Sequence, residues 1–414
     1  MRHRLTILLL TFLTTLTASA PGQSPSEQTR LEHARQTALE NPHQAISLYR
    51  NFLRKRPAHR QAYRELWALS QEHGMRDTPG LLTSLAEEFP DGTHLRTSDH
   101  FLIVYDMPHA WADTRVRLLE QVHDAFYEQL IKAGFQPLPL HERLVCILFA
   151  SHDDYLAYAR QIGVGAMENT GGFYTSAANR VVFFSNRANP QLRQHGQRLE
   201  QMRRQIQQLR AALAEAEQRG DVSRAQNLRN RRIRALQALT QLENQYNAAI
   251  GRGNMSQTLH EAAHLLAFNS GIQDRRRAYP LWVSEGLATA FETTNPARPF
   301  GPGHDNPSRR HALTEAFNNQ RVRPLADLIA LRATRDIRPA ERGAVYAQMW
   351  GMFHFLWTHH LEALRDHLQA IASGELRTGN AEANRQAFEQ SFGDLEPLER
   401  QWREYVRAMT QPSR

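Results

Sequence analysis

Polar and apolar positions change rhythm several times along this chain, and each change marks a structural unit. From about Ser26 to Pro90 the period is helical. Ala45, Tyr49 and Leu53 share one face, Pro57 stops that helix, and Tyr63, Leu66 and Leu69 begin another that ends near Gly74. Pro90 lies 33 residues after Pro57, close to the 34-residue tetratricopeptide period. The pattern predicts a weakly repeat-like helical module over 26–92, serving as a buttress for the next domain or as a peptide-docking surface. His100 to Tyr105 (HFLIVY) and Leu144 to Phe149 (LVCILF) then read as strands, separated by a helix over Trp111 to Ala133 that turns Val116, Leu119 and Val122 inward. Gly172-Phe173-Tyr174 and Val181-Val182-Phe183-Phe184 flank the turn-forming Ser176 to Asn179, a hairpin whose second strand is expected at a sheet edge.

Over 190–252 the rhythm becomes that of a coiled coil. Leu199, Met202, Ile206, Leu209, Leu213 and Ala216 alternate steps of three and four, and after Gly220-Asp221 the pattern returns at Ala225, Leu228, Ala235, Leu239, Leu242 and Tyr246. An antiparallel hairpin follows, with only Arg232 breaking its second seam and each arm reaching roughly 35 to 40 Å. Gln257 to Phe268 is a further helix-forming stretch, apolar nearly all round and therefore buried, and a second helix starts at Pro280. These elements give an α+β fold, mostly helical.

Composition narrows the chemistry. With 414 residues, 41% hydrophobic and 22% charged, the chain has enough apolar surface for one or two cores, which excludes a wholly disordered protein. A single cysteine, Cys146, excludes internal disulfides, thiolate zinc sites and CxxC redox chemistry, so any metal must be held by His, Asp or Glu. Cys146 itself falls inside a strand and reads as a small buried hydrophobe. The net charge of +8 is concentrated in the coiled-coil hairpin, which has about twelve Arg and about five acids. That arm suits an anionic partner such as lipid headgroups, cell-wall polymer or nucleic acid, or is simply a solvated coiled-coil surface. Residues 1–20 pair Arg2 and Arg4 with an apolar run from Leu5 and end in Ala18-Ser19-Ala20, the layout of a secretory signal. An exported protein, periplasmic or secreted, is expected, with no transmembrane segment in the mature chain; an uncleaved N-terminal anchor is the alternative.

The sharpest chemical signal is His260-Glu261-Ala262-Ala263-His264. On a helix, positions i and i+4 project side by side, so two imidazoles bind one cation with Glu261 beside them, the HExxH arrangement. A chance match in a chain with 20 His arises on the order of 5 to 10% of the time, so a third ligand is required. The HExxHxxGxxH extension is absent, because Ala267 and Ser270 stand where Gly and the third His would be. Glu285 lies one to two turns into the helix that starts at Pro280, where Gly286 would let backbones approach closely. Two His and one carboxylate leave the fourth position of a zinc ion open for water.

HEAAH followed by WVSEGLA resembles the gluzincin zinc metallopeptidases, and most closely the peptidase-MA-like domain family of largely uncharacterised bacterial proteins. The resemblance runs over roughly residues 97–408 without the coiled-coil insertion, and includes the GGFY hairpin, Tyr346 to Trp357 (YAQMWGMFHFLW) and Phe388 to Tyr405. It implies a zincin-like catalytic domain over 97–410, made of a small sheet plus active-site helices. It implies Zn2+ held by His260, His264 and Glu285, Glu261 as general base, and a peptide or protein substrate. Tyr346 sits at an offset similar to the catalytic tyrosine of gluzincin aminopeptidases and would stabilise the oxyanion; His354 is the alternative donor, and His359 and His360 read as solvated. In resembling enzymes an extended peptide adds to a sheet edge, which points to Arg180 to Ser185, and within it Val182 and Phe183, as substrate-binding positions. The hairpin that follows is then placed to limit or guide access to the cleft. Gly165-Ala166-Met167-Glu168-Asn169 matches the GxMEN string that holds a substrate amine in such aminopeptidases, making Glu168 an amine-binding candidate or part of a polar loop. A non-enzymatic scaffold, binding partners through its helical repeats and coiled coil around a structural or degenerate metal site, is the competing reading.

Overall fold

The computed structural model describes residues 25–410, apart from Pro79 and residues 90–91, 166–169 and 186–189. The signal read at 1–20, the helix stop at Pro90 and the amine-binding candidate Glu168 lie outside the described residues. Three helices open the chain: α1 (Pro25–Glu40), α2 (Pro42–Lys55) and α3 (Arg60–His73). The apolar face expected at Ala45, Tyr49 and Leu53 packs with Leu31, Ile46 and Leu66 into a small core of its own, closed by Leu138 from the following domain. Tyr63 donates its hydroxyl proton to the Pro137 carbonyl at 3.0 Å, and Arg50 donates to the Asn269 carbonyl at 2.6 Å. The module is thus fixed to the main body. Helix α4 (Leu81–Glu88) departs from the expected second hairpin, because Leu85 and Phe89 pack on the central sheet instead.

The sheet has five strands, β1 (His94–Thr97), β2 (Phe101–Tyr105), β3 (Leu144–Phe149), β4 (Gly172–Thr175) and β5 (Arg180–Phe184), in the order β1-β2-β3-β5-β4. β2, β3 and β5 run parallel, while β1 and β4 are antiparallel to their neighbours. Strands covered on both faces read as unbroken apolar runs, and alternate residues part to the two sides. Ile103, Cys146, Val181 and Phe183 face the main core, whereas Val104, Ile147, Val182 and Phe184 meet Tyr155 and Tyr158 of α6 (His152–Gln161). Burial pushes the Cys146 thiol up to about 12, as suits an inert packing residue.

One expectation is overturned here. β5 is interior, bonded to β3 on one side and β4 on the other, so the exposed edge belongs to β4. Val182 and Phe183 are each 0% exposed and have no surface to offer a substrate. Two-sided apolarity is the mark of a central strand, because an edge strand keeps one face or flank polar.

Helices cover the main core: α5 (His109–Lys132), then α7 (Pro190–Gln218) and α8 (Val222–Asn269), then α9 (Leu281–Ala290), α10 (Pro307–Asn318), α11 (Leu325–Ala330), α12 (Arg342–His359), α13 (Leu361–Ser373), α14 (Ala381–Phe392) and α15 (Leu395–Thr410). The coiled-coil arm pairs α7 with the first half of α8 around Leu209, Leu213, Ala216, Ala225 and Leu228. The second arm and the HExxH stretch are one continuous helix of 48 residues. No helix among the described residues is long and apolar enough to cross a membrane.

Candidate metal centre

The HExxH segment of α8 is buried by its own composition. Leu259, Ala262, Ala263, Leu265, Leu266 and Ala267 are fully buried, which leaves His260, Glu261 and His264 as the polar positions of this turn pair. Small alanines on the inner face let α9 come close, and α9 brings Glu285 across. His260 Nε2 lies 3.2 Å from Glu285 Oε2, and His264 Nε2 lies 3.8 Å from Glu285 Oε1. The two imidazole rings are 4.9 Å apart and nearly perpendicular, and one donor atom from each of the three residues falls within 4.8 Å of the others.

This donor set fits zinc. The Glu285 Oε2 atom is buried without a hydrogen-bond partner of good geometry, and a buried carboxylate oxygen needs a cation or a donor. Burial alone would raise the Glu285 pKa, but His260 and His264 outweigh it and hold the carboxyl well below its usual range, in the ligand-competent charged form.

Glu261 points to the other side of the helix turn. Its Oε2 accepts the Tyr174 backbone N–H at 2.9 Å, so the edge strand β4 fixes the carboxylate. Burial raises its pKa, opposed by His260 and His264. One turn earlier, Gln257 donates to the Gly172 carbonyl at 3.4 Å, and two turns later Asn269 and Asn179 exchange amide hydrogen bonds at 2.8 and 3.0 Å. Tyr174 also stacks on Phe268, with centroids 5.4 Å apart. β4 therefore spends its outward groups at Gly172 and Tyr174 on α8, and is a brace for the site before it is a platform for added strands.

Sequence reasoning missed Glu292, Arg309 and Asn306. Glu292, just beyond α9, receives His260 Nδ1 at 2.8 Å and Arg309 Nε and Nη2 at 2.7 and 2.6 Å. This carboxylate fixes the His260 tautomer so that Nε2 faces the metal position. Although burial pushes the Glu292 pKa up, Arg309 and His260 bring it below the usual range. Asn306, the N-cap of α10, donates to the Glu292 and Thr289 carbonyls at 2.9 and 3.3 Å and so ties Arg309 to its partner. Glu292 stands seven residues after Glu285, a spacing that shares a helical face only if the helix continues; the chain turns out after Ala290, so no periodicity pointed to it.

Tyr346, on α12, is at the site: its ring is 6.4 Å from the His260 ring, its hydroxyl is 3.1 Å from Thr334 Oγ1, and Arg309 lies over its face at 5.9 Å. Burial, reinforced by Glu285, raises the phenol pKa and keeps it protonated. His354 is placed elsewhere, with Nδ1 2.5 Å from the Tyr405 hydroxyl of α15, and is withdrawn as an alternative donor. His359 is exposed, as expected, and His360 is half-buried. A second group, His100, Glu120 and His123, also clusters. There the Glu120 carboxylate is already used by the His100 backbone N–H at 3.0 Å and the His100 Nδ1 at 2.6 Å, a brace between β2 and α5.

A family profile described as a protein of unknown function (DUF1570), an uncharacterised peptidase-MA-like family, matches residues 254–375. The matched stretch spans His260, Glu261, His264, Glu285, Glu292, Arg309 and Tyr346 and leaves out the sheet and most of the arm. No curated protein and no solved structure matches the chain.

Proposed function

We propose that this protein is an exported zinc-dependent metallopeptidase of gluzincin type. The observation that carries the reading is the meeting of His260, His264 and Glu285 within 4.8 Å of one another, beside a carboxylate, Glu261, that is not needed as a ligand. When bound, zinc supplies a Lewis acid that polarises a peptide carbonyl and acidifies water. The remaining work belongs to the chain. Glu261 takes a proton from the attacking water and delivers it to the leaving amine, and its burial-raised pKa suits a base that must hold a proton between those two steps. The Tyr174 N–H keeps that carboxylate in one orientation throughout. Tyr346, held protonated, donates to the oxygen on which negative charge develops.

Zinc stoichiometry and hydrolysis of a quenched peptide library by the wild type and by Glu261→Gln test the proposal. Expected are about one zinc per chain in both proteins and hydrolysis by the wild type alone. Zinc bound with no hydrolysis by either would assign a structural or degenerate site instead, and no zinc in either would remove the proposal.

A further inference from the structure

A cleft of about 580 Å³ opens around the C-terminal end of α8, within the roughly 300–1,000 Å³ typical of ligand sites. Its walls come from the end of α2 and the start of α3, the turn after α8, and α13. Two of its lining residues belong to the catalytic surround. Phe268 is one helical turn beyond His264, about 6 Å along the axis, and Ser176 directly follows the brace strand β4. Phe268 stacks on Tyr174, whose N–H holds Glu261. A peptide in extended form advances about 3.3 Å per residue. About two extended residues therefore span the rise from His264 to Phe268, the distance over which a substrate held at the metal would have to run to meet this cleft.

The charge inside the cleft is lopsided. Five arginines, Arg54, Arg60, Arg275, Arg276 and Arg365, line it with two aspartates, Asp274 and Asp366. Asp274 is claimed by Arg276 at 2.5 Å and Asp366 by Arg365 at 3.4 Å. Arg54, Arg60 and Arg275 have no ion pair with a carboxylate among the described residues. Burial lowers the Arg54 pKa; Asp274 opposes it, and neighbouring Arg276 and Arg275 push the same way as burial. Arg275 also eases the burial-raised pKa of the Tyr174 phenol. Leu53, Leu138 and Ile272 supply apolar wall between the cations.

We propose that this cleft is an acidic subsite, in which Arg275, Arg54 and Arg60 select peptide substrates having Asp or Glu two to four residues from the scissile bond. The inference rests on the peptidase reading and deepens it by naming a substrate class. Guanidinium forks match carboxylates bidentately, and three unpaired ones around an apolar-walled cleft favour a segment with more than one acid.

The test uses the zinc-loaded full chain and a cleaved peptide scaffold bearing Asp or Asn at successive positions on each side of the scissile bond. On one side, Asp is expected to lower KM at least tenfold relative to Asn. Arg275→Ala and the double variant Arg54→Ala/Arg60→Ala should raise KM for the Asp peptide about tenfold, with the Asn peptide unchanged. Arg275→Lys should restore part of the preference, and Arg275→Glu should transfer it to Lys-bearing peptides. These side chains are exposed, so the variants are expected to fold. Equal KM for Asp and Asn at every position overturns the subsite while leaving the peptidase intact. If no peptide is cleaved at all, fluorescence anisotropy of the same peptides on Glu261→Gln decides: Asp-dependent binding that Arg275→Ala removes sustains the subsite and sinks only the peptidase, whereas charge-blind or absent binding sinks both.

Discussion

Glu292 holds His260 by the nitrogen a metal does not use, and Arg309 holds Glu292 with two hydrogen bonds. Such outer partners are usually worth 10- to 100-fold in metal affinity. Glu292→Gln is expected to weaken zinc binding by that factor in chelator competition, with the fold intact; an unchanged affinity would show that His260 is oriented by packing alone. In the proposed reaction Tyr346 makes a different contribution, its phenol meeting charge that appears only during reaction. Tyr346→Phe should lower kcat by about 10²- to 10³-fold with zinc content and KM little changed. At this scale the candidate donors on α8 were legible in the sequence, since HExxH is a local pattern on one helix. Glu292, Arg309 and the Tyr174 backbone were not, because each reaches the site from a separate element through a contact that no spacing encodes.

At the scale of elements, the position of Glu285 depends on how closely α9 lies on its neighbours. Gly286 was expected to permit close approach, and it does so against α12: an added Cβ would lie 3.0 Å from Phe353 Cβ and 3.2 Å from the Met349 carbonyl. Backbone cannot give way there as a flexible side chain would. Gly286→Ala should therefore cost about 1–3 kcal/mol of stability and displace Glu285, read as a lower thermal midpoint together with weaker zinc binding. The continuity of α8 is the second lesson at this scale. Gly251 and Gly253 lie inside this helix, although a glycine costs about 1 kcal/mol in a helix interior. The helix persists because buried Arg115 binds Asn254 and Thr258 on this turn, and also reaches the Phe184 carbonyl at 3.5 Å. That clamp joins residues 115, 184 and 254, far apart in sequence, and α5, the sheet and α8 together override the local preference.

At the scale of the whole molecule, acid should loosen the assembly through buried neutral histidines. His141 packs at the junction of the helical module and the main body, its ring 5.4 Å from that of His43, with both nitrogens buried and without hydrogen-bond partners. Burial, helped by Arg76, lowers its pKa to about 4. His367, on α13 beneath Trp282, is lowered to about 4 by burial. Both values lie below the unfolded value of 6.5. Their stabilising effect is therefore complete above pH 6.5 and is lost as the pH falls toward 4, on the order of 2 kcal/mol per histidine by pH 5. Urea midpoints at pH 7 and pH 5 should differ accordingly, and His141→Gln should flatten that difference. A pH-independent midpoint would show that water reaches these rings.

Periodicity and residue type alone determined the coiled coil, the buried strands, the side-by-side His260 and His264 with their glutamate, and the excess of helix over sheet, because each is an interaction between residues a few positions apart. Tertiary structure decided which strand is the edge, that the arm and the metal helix are one rod, which carboxylate orients His260, and where the unpaired arginines gather. Those outcomes depend on which surfaces meet when the apolar faces are buried, and in this chain they bring together residues as distant as Arg54 and Arg275.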